Sequence, residues 1–89
     1  MNKPLFEMGH VVATPGVLDL LSKRKILKLL KRHGRGDWGD LCEDDKEIND
    51  RALVEDARLL SSYITPKGKV WIITEANRAV TTVLLPSEY

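Results

Sequence analysis

The sequence predicts an α+β fold in which two or three short helices pack on one face of a sheet that ends in a three-stranded antiparallel meander. Three observations support this prediction. A strand-like segment opens the chain, segments with helical periodicity follow, and three runs rich in β-branched residues, separated by turn residues, close it. The chain has 89 residues of mixed apolar and charged character, so we expect one domain over residues 1–89, with the opening strand joining the sheet.

The opening strand is predicted over residues 5–13. Within it, Phe6, Met8, His10 and Val12 occupy every second position, so they share one face of an extended chain. This alternation is typical of a strand whose two faces have different surroundings.

Two helices, instead of one, are predicted after this strand. Thr14 followed by Pro15 is typical of a helix start, because the threonine oxygen can cap the helix and proline lacks only a dispensable N–H. A single helical wheel over residues 17–30 scatters the leucines around the circumference, whereas a second start at Ser22 separates an apolar side from a basic side. Gly34 is then predicted to end the second helix in a left-handed conformation.

The middle of the chain predicts an ordered loop followed by a third helix. Three glycines turn the backbone around Trp38 within residues 34–42, GRGDWGDLC. The helix is predicted from Glu43 to about Ala57, because its first turn is acidic and complements the positive end of the helix dipole. Its predicted inner face consists of Ile48, Ala52 and Leu53.

From Arg58 onward the pattern changes to that of strands. We predict strands at residues 58–64, 69–74 and 79–85 with turns between them, which makes a meander. Whether Val80, Thr82 and Leu84 leave the last strand as an open edge for dimerisation is undecided at this point, so both a monomer and a homodimer are compatible with the sequence.

Charge is nearly balanced overall and uneven along the chain. The 14 Lys and Arg residues against 13 Asp and Glu residues give a net charge of +1, which argues against a strongly basic nucleic-acid binder and against an acidic nucleic-acid mimic. Seven basic residues lie within positions 23–35 and nine acidic residues within positions 37–56. The two blocks either face each other or meet different partners.

Composition also leads us to expect a cytoplasmic protein with no membrane partner. No apolar run approaches the ~18 residues that a membrane span needs, and the first residues lack the apolar centre of a signal peptide. Cys42 is the single cysteine, which excludes an internal disulfide and agrees with a reducing compartment.

Signals for catalysis and metal binding are weak. The acidic run after Asp37 lacks the spacing of a calcium loop, and the histidines lack paired metal-ligand spacing, so neither a metal nor a cofactor is predicted. His33 is interpreted as a helix-terminal histidine bonded to a carbonyl, in preference to a general base. Ser61, Ser62 and Cys42 lack the context of a nucleophile. Catalysis stays open, and a non-enzymatic protein is favoured.

The basic side of the second helix is the candidate nucleic-acid surface. Phosphate contacts by such side chains add salt-dependent affinity, although a solvated helical face is the more common reason for the same pattern. The candidate contact residues are Lys28, Lys31, Arg32 and Arg35.

Several segments together resemble a family of small bacterial proteins often labelled "plasmid-related". The resemblance runs from about Met8 to Tyr89 and names no activity. One departure from the family is SKRKIL at residues 22–27, where its members would be expected to have a glycine-containing connection. The cluster of basic residues in this segment can therefore be specific to this chain and not shared by the family. The residues that carry the resemblance are His33, GDWGDL at 36–41, Asn49, Arg58, Leu59, Tyr63 and VWIITEANRAVTTVLLPSEY at 70–89.

A second resemblance is architectural. A strand, helices and a three-stranded meander are similar to the RelE/ParE toxin fold, whose ribosome-dependent RNases act through basic and aromatic residues on the sheet. This chain carries much less positive charge than is usual for such toxins, and fold similarity does not transfer function. The positions that correspond in role are Arg58, Tyr63, Lys69, Arg78 and Tyr89.

Two functional hypotheses follow. The first is a non-enzymatic interaction or accessory protein of plasmid or mobile-element type, which binds a protein partner through the 34–42 loop and the exposed sheet face. Its candidate interaction residues are Trp38, Asp37, Asp40, Arg58 and Arg78. The alternative is a RelE/ParE-like toxin that acts on RNA or another nucleic-acid-associated target. At Trp38, a buried structural role and a binding role both remain open.

Overall fold

A computed structural model describes residues 3–89 and shows an α+β fold with a four-stranded mixed sheet and three α-helices. The strand order is β1-β4-β3-β2; β2, β3 and β4 form the predicted antiparallel meander, and β1 pairs parallel to β4. The elements are β1 (His10–Ala13), α1 (Pro15–Leu20), α2 (Lys23–Gly34), α3 (Glu43–Glu55), β2 (Leu59–Thr65), β3 (Gly68–Thr74), β4 (Val80–Leu84) and a 3-10 turn (Pro86–Glu88).

The last strand is therefore an interior strand. It lies between β1 and β3, so Val80, Thr82 and Leu84 leave no open edge, and the two ends of the sheet are β1 and β2. The opening strand is shorter than the predicted range 5–13, because Gly9 turns the backbone with a φ of +64° immediately before it.

The main core lies between the sheet and the helices α1 and α2. We call the sheet face that they cover the inner face and the opposite one the outer face. The pairing of Tyr63 with Val70 and of Ile72 with Val83 places these four side chains on the inner face. The buried core consists of Val17, Leu21, Ile26, Leu29, Leu30, Tyr63, Val70, Ile72 and Val83.

The predicted break between α1 and α2 is confirmed. The Ser22 hydroxyl accepts the backbone N–H of Lys25 at 3.3 Å, which caps α2. Ile26, Leu29 and Leu30 are buried along its apolar side, as the helical wheel predicts, whereas Leu27, assigned to the same side, is 57% exposed.

Two local details of these helices differ from prediction. The side chain of Thr14 does not cap α1; its hydroxyl donates to the Glu88 carboxylate at 2.5 Å, and the other Glu88 oxygen accepts the Gly16 N–H at 3.1 Å. The C-terminal turn thus supplies the cap. Gly34 lies inside α2, and the left-handed glycine is Gly36, with a φ of +82°.

The prediction that all helices pack on one face of the sheet is wrong for α3. It lies along the edge of β2, where the Asn49 amide donates to the Leu60 carbonyl at 2.7 Å and its oxygen accepts the Leu60 N–H at 3.1 Å. The buried residues of α3 are therefore Asn49 and Ala52, while Ile48, predicted to face inward, is 58% exposed. Within residues 3–89, no helix has the length and apolar character needed to cross a membrane.

Candidate interaction surfaces

Trp38, the central residue of the 34–42 loop, is buried. Only 3% of it is exposed, and its indole N–H donates to the Asp50 carboxylate at 2.9 Å. Its ring packs near Phe6 and His33, with centroid distances of 6.3 and 5.7 Å. Trp38 therefore fastens the loop to α3 and presents no surface to a partner in this structure.

The rest of the loop is fixed to α2 and β2. The Arg32 guanidinium donates to Asp37 at 2.7 Å and holds the pKa of that carboxyl below its usual value. Gly39 pairs with Ser62, and a Cβ at Gly39 would lie 2.1 Å from the Ser62 carbonyl oxygen, so this close approach needs glycine. Of the candidate residues in the loop, Asp40 is the exposed one, and Asp37 is partly buried.

Arg78 holds the end of α3. Its backbone has a φ of +60°, and its guanidinium donates to the Ala57 carbonyl at 2.6 Å and to the Ala52 carbonyl at 3.0 Å. The Ala52 carbonyl lies in the last turn of α3, and the Ala57 carbonyl lies just beyond its end, where the helix dipole makes positive charge favourable. The Arg78 guanidinium is thus engaged in contacts within the fold.

We expect the Arg78→Met variant to unfold more easily, by about 2 kcal/mol, because it leaves two carbonyls without their charged donor. Arg58→Met is the matched control and should cost under ~1 kcal/mol, since Arg58 is exposed. Urea unfolding of both variants measures the difference. Equal losses would contradict the role assigned to Arg78.

Arg58 lies near the C-terminal residue on the outer side of the sheet. Its guanidinium donates to the Tyr89 hydroxyl at 2.9 Å and lies 3.7 Å from a Glu75 carboxylate oxygen. The Tyr89 ring in turn meets Trp71 edge to face, with a centroid distance of 5.8 Å. These contacts fix Tyr89 as one wall of a groove.

This groove, which we call the outer groove, lies between α3 and the outer face of β2 and β3. Its volume is about 380 Å³. Leu41 from the loop, Ile48 from α3 and Trp71 from β3 lie at its walls or floor. The full lining is Leu41, Asp45, Ile48, Asn49, Arg58, Leu60, Trp71, Ile73 and Tyr89. Six of these nine side chains are apolar or aromatic, so the outer groove suits an apolar side chain.

The interior contains a chain of hydrogen bonds centred on His33, which is fully buried. Its Nδ1 lies 2.5 Å from the Ser61 hydroxyl and its Nε2 lies 2.9 Å from the Thr74 hydroxyl. Thr74 is bonded to Thr81 at 2.8 Å, and Thr81 donates to the Met8 carbonyl at 2.7 Å. The predicted partner of His33, a helix carbonyl, is replaced by two hydroxyl groups.

The direction of this chain follows from its last acceptor. The Thr81 hydroxyl donates its hydrogen to the Met8 carbonyl, so it must accept the hydrogen of the Thr74 hydroxyl. The Thr74 oxygen therefore accepts the Nε2–H of His33. In this neutral ring Nδ1 carries no hydrogen and accepts from the Ser61 hydroxyl. Burial, followed by the positive charge of Arg78, lowers the pKa of His33 to about 4. His33 is therefore a neutral structural residue with both ring nitrogens occupied.

The basic residues of α2 divide into two groups. Arg32 is bound to Asp37 and lies over the Tyr63 ring at 4.6 Å, so it belongs to the loop attachment. Lys28, Lys31 and Arg35 are exposed, and none forms an ion pair with a carboxylate in residues 3–89. Apart from the Arg32–Asp37 pair, the basic and acidic blocks form no direct ion pair within residues 3–89.

The residues that correspond in role to those of RelE/ParE toxins do not meet at one site. Tyr63 is buried on the inner face, where burial raises its pKa to about 12. Arg78 holds α3, whereas Arg58 and Tyr89 contact each other beside the outer groove. Lys69 is exposed on β3.

Comparisons with models of protein families, with curated proteins and with solved structures find no match to this chain. Both resemblances noted in the sequence therefore stay predictions. The fold defines a small α+β domain, and its function has to be argued from its own surfaces.

Proposed function

We propose that this protein is a non-enzymatic interaction protein, a cytoplasmic accessory protein of plasmid or mobile-element type, that binds a protein partner through the outer groove. The exposed apolar lining of that groove supports this proposal most directly. Ile48 is 58% exposed and Tyr89 is 69% exposed, and both flank the partly buried Trp71. Tryptophan and tyrosine are enriched among the residues that dominate binding energy at protein interfaces.

The dimensions of the outer groove specify the kind of contact. A space of about 380 Å³ accommodates one or two side chains and is too small for a packed helix. We therefore expect an aliphatic or aromatic anchor residue of the partner to enter it. The negative Asp45 and the positive Arg58 both line this groove. Either a positive or a negative group of the partner, next to its anchor residue, can therefore find a complementary charge.

The interior argues for binding in preference to catalysis. His33 has both ring nitrogens bonded to hydroxyl groups and is fully buried, so it has no access to a substrate. Arg32, Asp37 and Arg78 are likewise engaged in contacts that hold the loop and α3. These four groups are therefore committed to the fold.

The proposal is tested by placing one charge at two positions of α3. Ile48→Asp puts a carboxylate in the outer groove, whereas Val54→Asp puts it on α3 outside the groove, at a residue that is 84% exposed. Because burying a charge in an apolar site is unfavourable, Ile48→Asp should weaken partner binding by about tenfold or more. Val54→Asp should bind like the unmodified protein.

Quantitative mass spectrometry of complexes formed by the three tagged proteins identifies the partner, and titration of the purified pair measures its affinity. Thermal unfolding of each variant shows whether the fold is retained. A partner that binds both variants equally well would contradict the assignment to the outer groove.

RNA binding, as in the alternative hypothesis of a RelE/ParE-like toxin, is a second candidate function. The observation that favours it is the exposure of Lys28, Lys31 and Arg35 without carboxylate partners among residues 3–89. Each neutralised phosphate releases counterions, so such binding weakens steeply with salt.

For this candidate, anisotropy of labelled RNA should show affinity that falls with salt concentration. The double variant Lys28→Ala with Lys31→Ala should reduce the slope of log affinity against log salt by about 2, one for each lost phosphate contact. Flat titration curves at high protein concentration would eliminate RNA binding as a function of this surface.

A further inference from the structure

We propose that the free edge of β1 is a second binding site, at which an extended segment of a protein partner adds as a fifth strand. The segment would carry apolar residues in its centre and acidic residues at its ends. The edge of β1 lies on a different surface from the outer groove, so this proposal does not depend on the proposed function of that groove.

The backbone of β1 supports this proposal first. The His10 N–H donates to the Ala79 carbonyl at 2.8 Å, and the Thr14 N–H donates to the Val83 carbonyl at 3.0 Å. In a parallel pair these bonds alternate along the strand, so Val11 and Ala13 direct their backbone N–H and C=O groups away from β4. Nothing in residues 3–89 pairs with that side of β1.

The opposite end of the sheet is closed. At the β2 edge, the Asn49 side chain pairs with the Leu60 backbone, and Gly39 pairs with Ser62. Sheet edges are usually protected by such cover, or by lysine, proline or a bulge within the strand. β1 reads HVVA and has none of these residues, while Val11 and Val12 are 43% and 37% exposed. The β2 edge is thus covered and the β1 edge is not, which indicates that the β1 edge is available to pair with a further strand.

A groove beside β1 specifies the occupant. This edge groove has a volume of about 560 Å³. Val11 belongs both to it and to β1, so an added strand would place alternate side chains over it. The full lining is Lys3, Pro4, Met8, Val11, Leu27, Leu30, Lys31, Gly34 and Arg35.

Three of these residues carry positive charge. Lys3, Lys31 and Arg35 are exposed and form no ion pair with a described carboxylate. Acidic residues flanking an apolar strand are the complementary partner. A second copy of this chain is disfavoured, because pairing β1 with β1 would bring two such basic groups together.

The test uses a synthetic peptide of alternating valine and threonine with glutamates at both ends, and a control peptide with lysines at both ends. We expect the glutamate peptide to bind and to slow hydrogen exchange at the Val11 and Ala13 amides, measured by NMR. Lys31→Glu should weaken binding by roughly fivefold to tenfold, because it reverses a contacting charge. Lys25→Glu, the same change at a residue outside the edge groove, should leave the affinity unchanged.

Three results would overturn the proposal. The glutamate peptide does not bind at saturating concentration, or it binds without protecting the Val11 and Ala13 amides, or these amides are protected in the free protein to a degree that rises with protein concentration. The last result would assign the edge to a second copy. Ile48→Asp should not affect peptide binding, so failure here is separable from failure at the outer groove.

Discussion

Replacing Trp38 with alanine is expected to lower the free energy of unfolding by about 4 kcal/mol, as is typical for truncation of a buried tryptophan. Only 3% of Trp38 is exposed, and it packs with Ala52 and Leu59 in a small core between the loop, α3 and β2. The substitution would leave a cavity there and would remove the bond to Asp50. A loss of partner binding in this variant would therefore follow from loss of the fold.

Urea unfolding measures this effect, with Asp50→Ala as the control. The control removes the acceptor of the indole N–H and keeps the ring, so it should cost about 1 kcal/mol. If Trp38→Ala cost no more than Asp50→Ala, the packing role assigned to the indole ring would be wrong.

Acidification is expected to destabilise the protein through His33. In the unfolded chain this histidine takes up a proton below its ordinary pKa of about 6.5, whereas burial keeps it neutral in the fold until the pH reaches about 4. Between these values the unfolded state binds more protons, so stability falls as the pH falls. The stability is fully present above about pH 6.5, and about 3 kcal/mol is lost on the way to pH 4.

His33→Gln isolates this contribution from that of the carboxylates. The variant is less stable at pH 7, yet its unfolding free energy should fall less steeply between pH 6.5 and pH 4 than that of the unmodified protein. His10→Gln, at an exposed histidine, should retain the full pH dependence. Urea unfolding over this pH range provides the measurement, and identical slopes for all three proteins would rule out the role of His33.

Local signals in the sequence predict much of the fold. The serine cap at Ser22, the apolar side of α2 and the acidic first turn of α3 each depend on residues close together in the chain. The meander follows equally from alternating β-branched runs and short turns. These elements were predicted with bounds that differ from the structure by a few residues.

Contacts between distant residues account for what prediction missed. His33 finds its partners at Ser61 and Thr74, and α1 receives its cap from Glu88 at the far end of the chain. No local pattern places α3 along the edge of β2, so the exposure of Ile48 could not be foreseen.

The outer groove was predicted only in part. The predicted interaction surfaces were the 34–42 loop and the exposed sheet face; the lining of the groove includes Leu41 from the loop and Trp71 from that face, whereas Trp38 is buried. One signal was present in the sequence: in KVWIIT, apolar residues occupy both faces of β3, which indicates that the outer face is partly covered. Trp71 and Ile73 are the apolar residues on that face.

Photo-crosslinking from α3 tests the central claim, that the outer groove receives the partner. A benzophenone amino acid is introduced in place of Ile48 or, separately, in place of Val54, and the intact protein is irradiated with its partner present. We predict an adduct from position 48, which lines the outer groove, and none from position 54, which does not. An adduct from position 54 without one from position 48 would contradict the claim.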